Sequence, residues 1–219
     1  MKYKLAIFDM DGTILDTLDD LADSLNHILR SEHYPERTID EVRNFVGNGI
    51  RKLIERALPE HTTQEEIQRI FELFLPYYQE HSAIKTKPYD GVLSLLKELR
   101  AAGIATAVVS NKADTAVQEL CRVYFPDLFD FSIGEKSGLR RKPAPDAVYA
   151  TLDALHFFKS EAVYIGDSEV DLATARNSGL DCIAVSWGFR DDAFLKAQGA
   201  DCIVNAPEQI MKIICNYSV

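Results

Sequence analysis

The sequence predicts an α/β protein whose parallel sheet is interrupted by an inserted all-helical segment. A short apolar run near the start, Leu5 to Phe8, ends abruptly in acidic residues and is typical of a buried strand. Residues 17–84 show helical periodicity without a convincing strand, whereas strands and helices alternate from residue 87 onward. Alternation of this kind builds a parallel sheet with helices on both faces.

The composition is that of an ordinary globular protein. The 219 residues, 47% hydrophobic and 26% charged, suffice for one core and a smaller satellite domain. A formal net charge of -10 argues against nucleic-acid binding. No apolar run reaches transmembrane length, and the start lacks the apolar stretch of a signal peptide. We therefore expect a cytoplasmic protein without a membrane partner, either a monomer or a weak homodimer.

Cysteine and histidine give no indication of a metal site. The four cysteines form no CxxC pair and each lies in an apolar pattern, which predicts reduced thiols: Cys121, Cys182, Cys202 and Cys215. The five histidines are far apart and have no ligand spacing, so we assign them no role.

The sequence of the first half of the chain predicts one strand followed by four helices. A helix follows Thr17 and continues to about residue 32. The second helix opens with the capping-box pair Thr38 and Glu41, and the third covers residues 50–57. The fourth begins after Thr63 and is expected to bend at Pro76.

The second half predicts alternating elements. The predicted helices cover residues 91–102, 114–124, 146–156 and 170–178. The predicted strands cover residues 104–109, 129–133, 162–165 and 182–185, and a last strand and helix lie within residues 202–217. The N-terminal strand must join this sheet, because a lone strand would leave its backbone groups unpaired. We therefore divide the chain into an α/β core, residues 1–16 and 85–219, and a helical segment, residues 17–84.

Polar residues that suit phosphate chemistry follow several predicted strands. Asp9, Ser110 and Asp167 each come directly after a strand, and Lys142 lies in the loop after another. Because ligands of open parallel sheets bind at the carboxyl ends of the strands, we expect these four side chains to converge. Each residue also has a purely structural interpretation, as a turn, a helix cap or a solvated charge.

The acidic pair Asp9 and Asp11 indicates a metal. Two carboxylates one residue apart at the mouth of a buried strand repel each other unless a cation or a shared proton offsets the charge. A hard cation such as Mg²⁺ fits oxygen ligands of this kind. Gly12 next to the pair permits close approach of another group.

Four segments, in order along the chain, resemble the motifs of the haloacid dehalogenase superfamily. They are FDMDGTILDT (8–17), VVSN (108–111), KPAP (142–145) and GDSEVD (166–171). The resemblance implies a Rossmann-like core with a helical cap inserted after the first motif. The chain is most similar to the phosphoglycolate phosphatase subgroup, in the LDT end of the first motif and in the VGNG string at residues 46–49. True dehalogenases lack the second Asp of the pair.

The resemblance also implies a role for each matching residue. Asp9 would be the nucleophile that forms an aspartyl phosphate, and Asp11 would be the general acid and base. Lys142 would neutralise charge between Asp9 and the phosphoryl group. The phosphate would be bound by Thr13, Ser110 and Asn111.

A magnesium ion would bind to Asp9, Asp167 and the backbone carbonyl of Asp11. Asp171, four residues after Asp167, would hold a metal-bound water or orient Lys142.

In the helical segment, Arg51 follows the flexible loop 47–49 and is a candidate partner for a substrate carboxylate, although an exposed Arg on a helix face is the commoner case. These expectations describe a magnesium-dependent phosphatase of a small phosphorylated metabolite, with 2-phosphoglycolate the first choice. A sugar-phosphate mutase similar to beta-phosphoglucomutase, a pyrophosphatase, and a catalytically idle relative that binds a phosphorylated ligand or a protein remain as alternatives.

Overall fold

The fold is taken from a computed structural model that describes residues 2–215. Its contacts divide the chain into two compact units, an α/β unit formed by Met1–Leu15 with Pro88–Val219, and a helical unit formed by Asp16–Lys87. Tyr217, in the last predicted helix, lies outside the described residues. Within the described part of the chain, none of the helices has the length and apolar character required to cross a bilayer.

The elements follow in chain order. The strands are β1 (Leu5–Phe8), β2 (Leu15–Asp16), β3 (Lys87–Pro88), β4 (Ala105–Ala113), β5 (Phe131–Glu135), β6 (Ala162–Gly166), β7 (Asp181–Val185) and β8 (Ile203–Val204). The helices are α1 (Leu18–Ser31), α2 (Ile39–Phe45), α3 (Ile50–Ala57), α4 (Gln64–His81), α5 (Val92–Ala101), α6 (Asp114–Tyr124), α7 (Asp146–Leu155), α8 (Glu169–Ser178), α9 (Asp192–Ala197) and α10 (Pro207–Cys215). A 3₁₀ turn covers Lys159–Glu161.

Six strands form one parallel sheet in the order β5-β4-β1-β6-β7-β8. Strand β1 lies at its centre, where Phe8 is in register with Val108 of β4 and Ile165 of β6. The carboxyl ends of these three strands are therefore neighbours. The predicted α/β class with a parallel sheet is confirmed.

Both faces of the sheet are buried, which explains the continuous apolar run of β1. Ala6 and Phe8 pack on one face against residues of α5, α6 and α10, whereas Leu5 and Ile7 pack on the other face with residues of α7 and α8. A parallel strand covered on both faces needs apolar side chains at every position rather than at alternate ones. All four cysteines are free thiols, as predicted.

Among the elements of this unit, β4 and α9 differ most from the sequence prediction. Strand β4 continues past Val109, through a register shift against β5, to Ala113, where the ladder resumes opposite Glu135. Ser110 thus lies within the strand and not after it. Helix α9 was not predicted because its six residues are too few for a clear period, although Asp191 caps it by accepting the backbone N–H of Phe194 at 2.8 Å.

The helical unit consists of α1 to α4. Helix α1 packs against α2 and α4, and α3 packs against α2 and α4. The predicted capping box is present, since Thr38 Oγ1 accepts from the N–H of Glu41 at 3.3 Å and the Glu41 carboxylate accepts from the N–H of Thr38 at 2.8 Å. Thr63 caps α4 through the N–H of Glu66 at 3.2 Å.

A buried carboxylate ties the end of the helical unit to its first helix. Asp20, on α1, is 2% exposed and accepts the backbone N–H groups of Ile84, Lys85 and Thr86 at 2.8–3.1 Å. These residues therefore belong to the helical unit, whose last residue is Lys87.

We expect Asp20→Ala to lower the free energy of unfolding by about 1.5–3 kcal/mol, because the buried N–H of Thr86 and the partly buried N–H groups of Ile84 and Lys85 lose a charged acceptor. Urea denaturation measures this change. The matched control is Asp23→Ala on the same helix, where the ion pair with Lys85 is exposed to solvent and should contribute little to stability. Equal losses in the two variants would contradict a special role for Asp20.

Candidate active site

Topology brings the predicted acids to one edge of the sheet. Asp9 directly follows β1, and its backbone N–H donates to the carbonyl of Ile165 at 2.8 Å, which extends the ladder by one residue. Asp167 follows β6, and Ser110 lies near the carboxyl end of β4. All three side chains are buried. The register of the three central strands thus determines where these groups lie.

Lys142 reaches this edge from the loop after β5. Its Nζ lies 2.8 Å from Asp9 Oδ1 and 2.8 Å from Asp171 Oδ1, and it donates to the hydroxyl of Tyr164 at 3.0 Å. The lysine side chain is only 3% exposed. The predicted convergence of Lys142 with Asp9 is thus present in the structure, and Asp171 contacts the lysine directly.

The backbone around Lys142 is held by an asparagine. Asn111 Oδ1 accepts the backbone N–H of Lys142 at 2.8 Å, and Asn111 Nδ2 donates to its carbonyl at 3.1 Å. The motif resemblance implies that Asn111 binds phosphate. In the structure the Asn111 amide bonds the main chain of Lys142, in the loop that carries the lysine.

Asp171 is oriented from the first turn of α8. Its Oδ2 accepts from the backbone N–H of Ser168 at 3.1 Å and from the Ser168 hydroxyl at 2.6 Å, which leaves Oδ1 for Lys142. Gly166 makes this approach possible, since a Cβ at that position would collide with the Asp171 carboxyl group.

Asp167 is held from two other directions. Thr13 donates its hydroxyl to Asp167 Oδ1 at 3.1 Å, and the backbone N–H of Phe189 donates to Oδ2 at 2.8 Å. Gly12 adopts φ +85°, and a Cβ there would overlap Asp167 and Phe189. The glycine of the acidic motif is therefore required both by its backbone conformation and by the space it leaves for this carboxylate. The Thr13 hydroxyl, predicted to bind phosphate, positions Asp167 in this structure.

Asp11 points to a different cation. Its Oδ1 lies 3.1 Å from the Nζ of Lys112, whose side chain is 6% exposed, against 22% for Asp11. The two acids of the motif thus have separate lysine partners, Lys142 for Asp9 and Lys112 for Asp11. Lys112 is not among the residues predicted for the site, and the one signal for it in the sequence is its position two residues after Ser110.

Burial raises the pKa of two carboxyl groups in this cluster. Burial, reinforced by the charge of Asp171 and opposed by Lys142, raises the pKa of Asp9 to about 7. Burial and the charges of Asp171 and Asp9 raise the pKa of Asp167 well above its usual range. Burial alone would lower the pKa of the Lys142 ammonium, but Asp171 and Asp9 raise it well above the usual value. One lysine therefore compensates only part of the negative charge of these three acids.

These acids suit a metal ion. Asp9, Asp167 and Asp171 each offer a carboxylate oxygen, and the three oxygens lie within 4.8 Å of one another. The donor set consists of hard oxygens, and Lys142, the ammonium that contacts Asp9 and Asp171, carries one positive charge against three carboxyl groups. The Asp11 carboxylate, bonded to Lys112, is not part of this group.

Two further residues have partners that the sequence did not predict. The hydroxyl of Tyr164, on β6, donates to the carbonyl of Val109 at 3.3 Å and accepts from Lys142 Nζ. Arg51, in the helical unit, donates to the side-chain oxygens of Gln68 and Gln64. Arg51 thus has partners on α4 of its own unit.

Comparison with known proteins is consistent with this geometry. A family model described as haloacid dehalogenase-like hydrolase matches residues 6–185. Among curated relatives, a phosphoglycolate phosphatase of Psychrobacter arcticus is 34% identical over 86% of this chain and 86% of its own length. An N-acetylmuramic acid 6-phosphate phosphatase of Pseudomonas aeruginosa is 30% identical over 98% of this chain and 96% of its own.

A solved structure shows the same architecture over nearly the full length. The crystal structure of a candidate phosphoglycolate phosphatase from Lactobacillus delbrueckii subsp. bulgaricus superposes with a TM-score of 0.94 at 45% sequence identity. The match covers 98% of this chain and 99% of that one.

Proposed function

The chain belongs to the haloacid dehalogenase-like hydrolases, and we propose that it is a magnesium-dependent phosphatase that hydrolyses a small phosphorylated metabolite through a phosphorylated Asp9. The first substrate to test is 2-phosphoglycolate, because several curated relatives bear the name phosphoglycolate phosphatase.

The observation that carries the proposal is the contact between Lys142 and Asp9. A carboxylate nucleophile and a phosphoryl group are both negative, so their approach requires a cation placed between them. The Lys142 ammonium lies 2.8 Å from Asp9 Oδ1 and is fixed by Asp171 on its other side. It would therefore be in place before substrate binds, which lowers the cost of reorganisation during the reaction.

The reaction then proceeds in two steps, formation of the aspartyl phosphate and its hydrolysis. Asp9 attacks phosphorus, the bond between phosphorus and the leaving oxygen breaks, and Asp11 donates a proton to that oxygen. Water next attacks the phosphorus of the aspartyl phosphate, Asp11 takes a proton from it, and the bond from phosphorus to the Asp9 oxygen breaks. Inorganic phosphate leaves, and both acids regain their initial state.

Several neighbours support these steps. We propose that the Ser110 hydroxyl binds a phosphate oxygen, that Thr13 orients Asp167, and that Asn111 positions the loop of Lys142. We assign Mg²⁺ to Asp9, Asp167 and the backbone carbonyl of Asp11, with Asp171 beside them. When bound, the ion would neutralise phosphate charge and hold a phosphate oxygen near Asp9.

The test is phosphate release from 2-phosphoglycolate by the purified protein, with Mg²⁺ and then with excess chelator. N-acetylmuramic acid 6-phosphate belongs in the same panel because of the second relative, and pyrophosphate and glucose 1-phosphate complete it. We expect release from 2-phosphoglycolate that chelator abolishes. If phosphate is released only from N-acetylmuramic acid 6-phosphate, that ester replaces 2-phosphoglycolate as the proposed substrate. If none of the phosphate esters releases phosphate, the proposal is contradicted.

The role of Asp11 predicts an effect that depends on the leaving group. Asp11→Asn should lower turnover of 2-phosphoglycolate by about 10²–10⁴-fold, because an alkoxide leaves poorly without a proton. The first step with p-nitrophenyl phosphate should persist, because nitrophenolate leaves unprotonated, and acid quenching should trap phosphate on Asp9. Absence of trapped phosphoenzyme together with equal losses on both substrates would contradict this role.

A further inference from the structure

The mechanism proposed above does not use Lys112, although this lysine lies beside one of its acids. Lys112 is part of β4, two residues after Ser110, and is buried. Its Nζ forms a hydrogen-bonded ion pair with Asp11 Oδ1 at 3.1 Å. Lysine is rarely buried without a charged partner, and here the partner is the proposed acid of the reaction.

The two lysines lie beside different acids of the motif. Lys142 contacts Asp9, where phosphorus is attacked, and Lys112 contacts Asp11, which meets the leaving oxygen. A cation next to Asp11 is therefore close to the part of the substrate that departs. The Lys112 side chain is 6% exposed and the Asp11 side chain is 22% exposed, so the pair borders on solvent mainly at the carboxylate.

An ammonium group can bind more than one acceptor. The Lys112 ammonium is a compact positive charge, so an anionic oxygen of a ligand that reaches it can compete with Asp11 for it. In 2-phosphoglycolate the carboxylate is separated from the ester oxygen by a single carbon atom. A group that contacts the acid beside the ester oxygen is thus within reach of that carboxylate.

We propose that Lys112 is a specificity-determining residue that binds an anionic group on the leaving part of the substrate. This inference rests on the proposed function and narrows its substrate class to phosphate esters whose leaving group carries a carboxylate close to the ester oxygen. Substrate binding would then draw part of the Lys112 charge away from Asp11, so recognition of the leaving group and positioning of the acid would be linked.

The test compares two substrates that differ at the proposed contact. They are 2-phosphoglycolate and 2-hydroxyethyl phosphate, which replaces the carboxylate with a neutral hydroxymethyl group. Lys112→Met should lower kcat/KM for both, because Asp11 loses its partner, but the loss should be at least tenfold greater for 2-phosphoglycolate and should lie mainly in KM. Lys112→Arg, which keeps the charge, should retain part of the preference.

Two variants serve as comparisons. Lys97→Met removes an exposed lysine of α5 and should leave kcat/KM unchanged for both substrates. Arg51→Ala tests the other candidate partner of the carboxylate. A selective loss in Arg51→Ala with equal losses on both substrates in Lys112→Met would overturn the assignment of Lys112. Pyrophosphate in the same series separates carboxylate recognition from recognition of any anion, and an equal Lys112 dependence there would overturn the restriction to carboxylates.

A binding measurement separates this inference from the proposed activity. Calorimetric titration of Asp9→Asn protein with each ligand, in the presence of Mg²⁺, requires no turnover. We expect 2-phosphoglycolate to bind about tenfold more tightly than 2-hydroxyethyl phosphate, and this preference to vanish when Lys112→Met is added. The same preference with and without Lys112, including no preference in either protein, would overturn the inference, whereas a failure of phosphate release in the wild type counts only against the proposed function.

Discussion

Asp9→Asn is expected to lower phosphate release by at least about 10⁴-fold, because an amide cannot form the acyl phosphate that the proposed mechanism requires. Phosphate release from 2-phosphoglycolate or from p-nitrophenyl phosphate measures the loss. The fold should persist, since Asn has the same shape as Asp and removes a carboxylate whose pKa burial has raised to about 7. Thermal unfolding should therefore differ little from that of the wild type.

The control for Asp9→Asn is the same substitution at an exposed aspartate, Asp153 of α7. That variant should keep full turnover. Asp9→Asn protein that is folded and retains more than a tenth of wild-type turnover would contradict the assignment of Asp9 as the nucleophile. Loss of turnover with loss of the folded state would show that Asp9 is required for structure.

The central part of the site was predictable because it depends on topology. Once the sequence indicates a parallel sheet, residues that follow its strands must lie at one edge, and this places Asp9 beside Asp167. The loop of Lys142 begins at the same edge. The helix caps were also predictable, because Thr38 and Glu41 interact within one turn.

The remaining contacts depend on side-chain packing that local sequence does not encode. Tyr164 lies in an apolar strand and looks like a core residue, yet its hydroxyl meets Lys142. Lys112 looks like a solvated charge at a strand end, and its burial results from the continuation of β4 beyond Val109. Asn111 matched a phosphate-binding motif, but its partner is the main chain of a loop 31 residues away in sequence.

Lys142→Met should have the second large effect, since it should lower both turnover and stability. The variant leaves the carboxylates of Asp9 and Asp171 buried without the ammonium that lies 2.8 Å from each. Removal of one partner from a buried ion pair costs about 3–5 kcal/mol, so we expect a decrease of this size in the free energy of unfolding. Turnover should fall by at least about 10³-fold, because the phosphoryl group would meet Asp9 without a cation between them.

A double variant distinguishes the two consequences. Lys142→Met with Asp171→Asn removes one of the two uncompensated charges, so it should recover about 1–3 kcal/mol of the lost unfolding free energy in urea denaturation with chelator present. Turnover should stay low, because Asp9 still lacks its cation. Recovery of turnover along with stability would mean that Lys142 only balances Asp171, whereas recovery of stability alone would assign the charge of Lys142 to the reaction at Asp9.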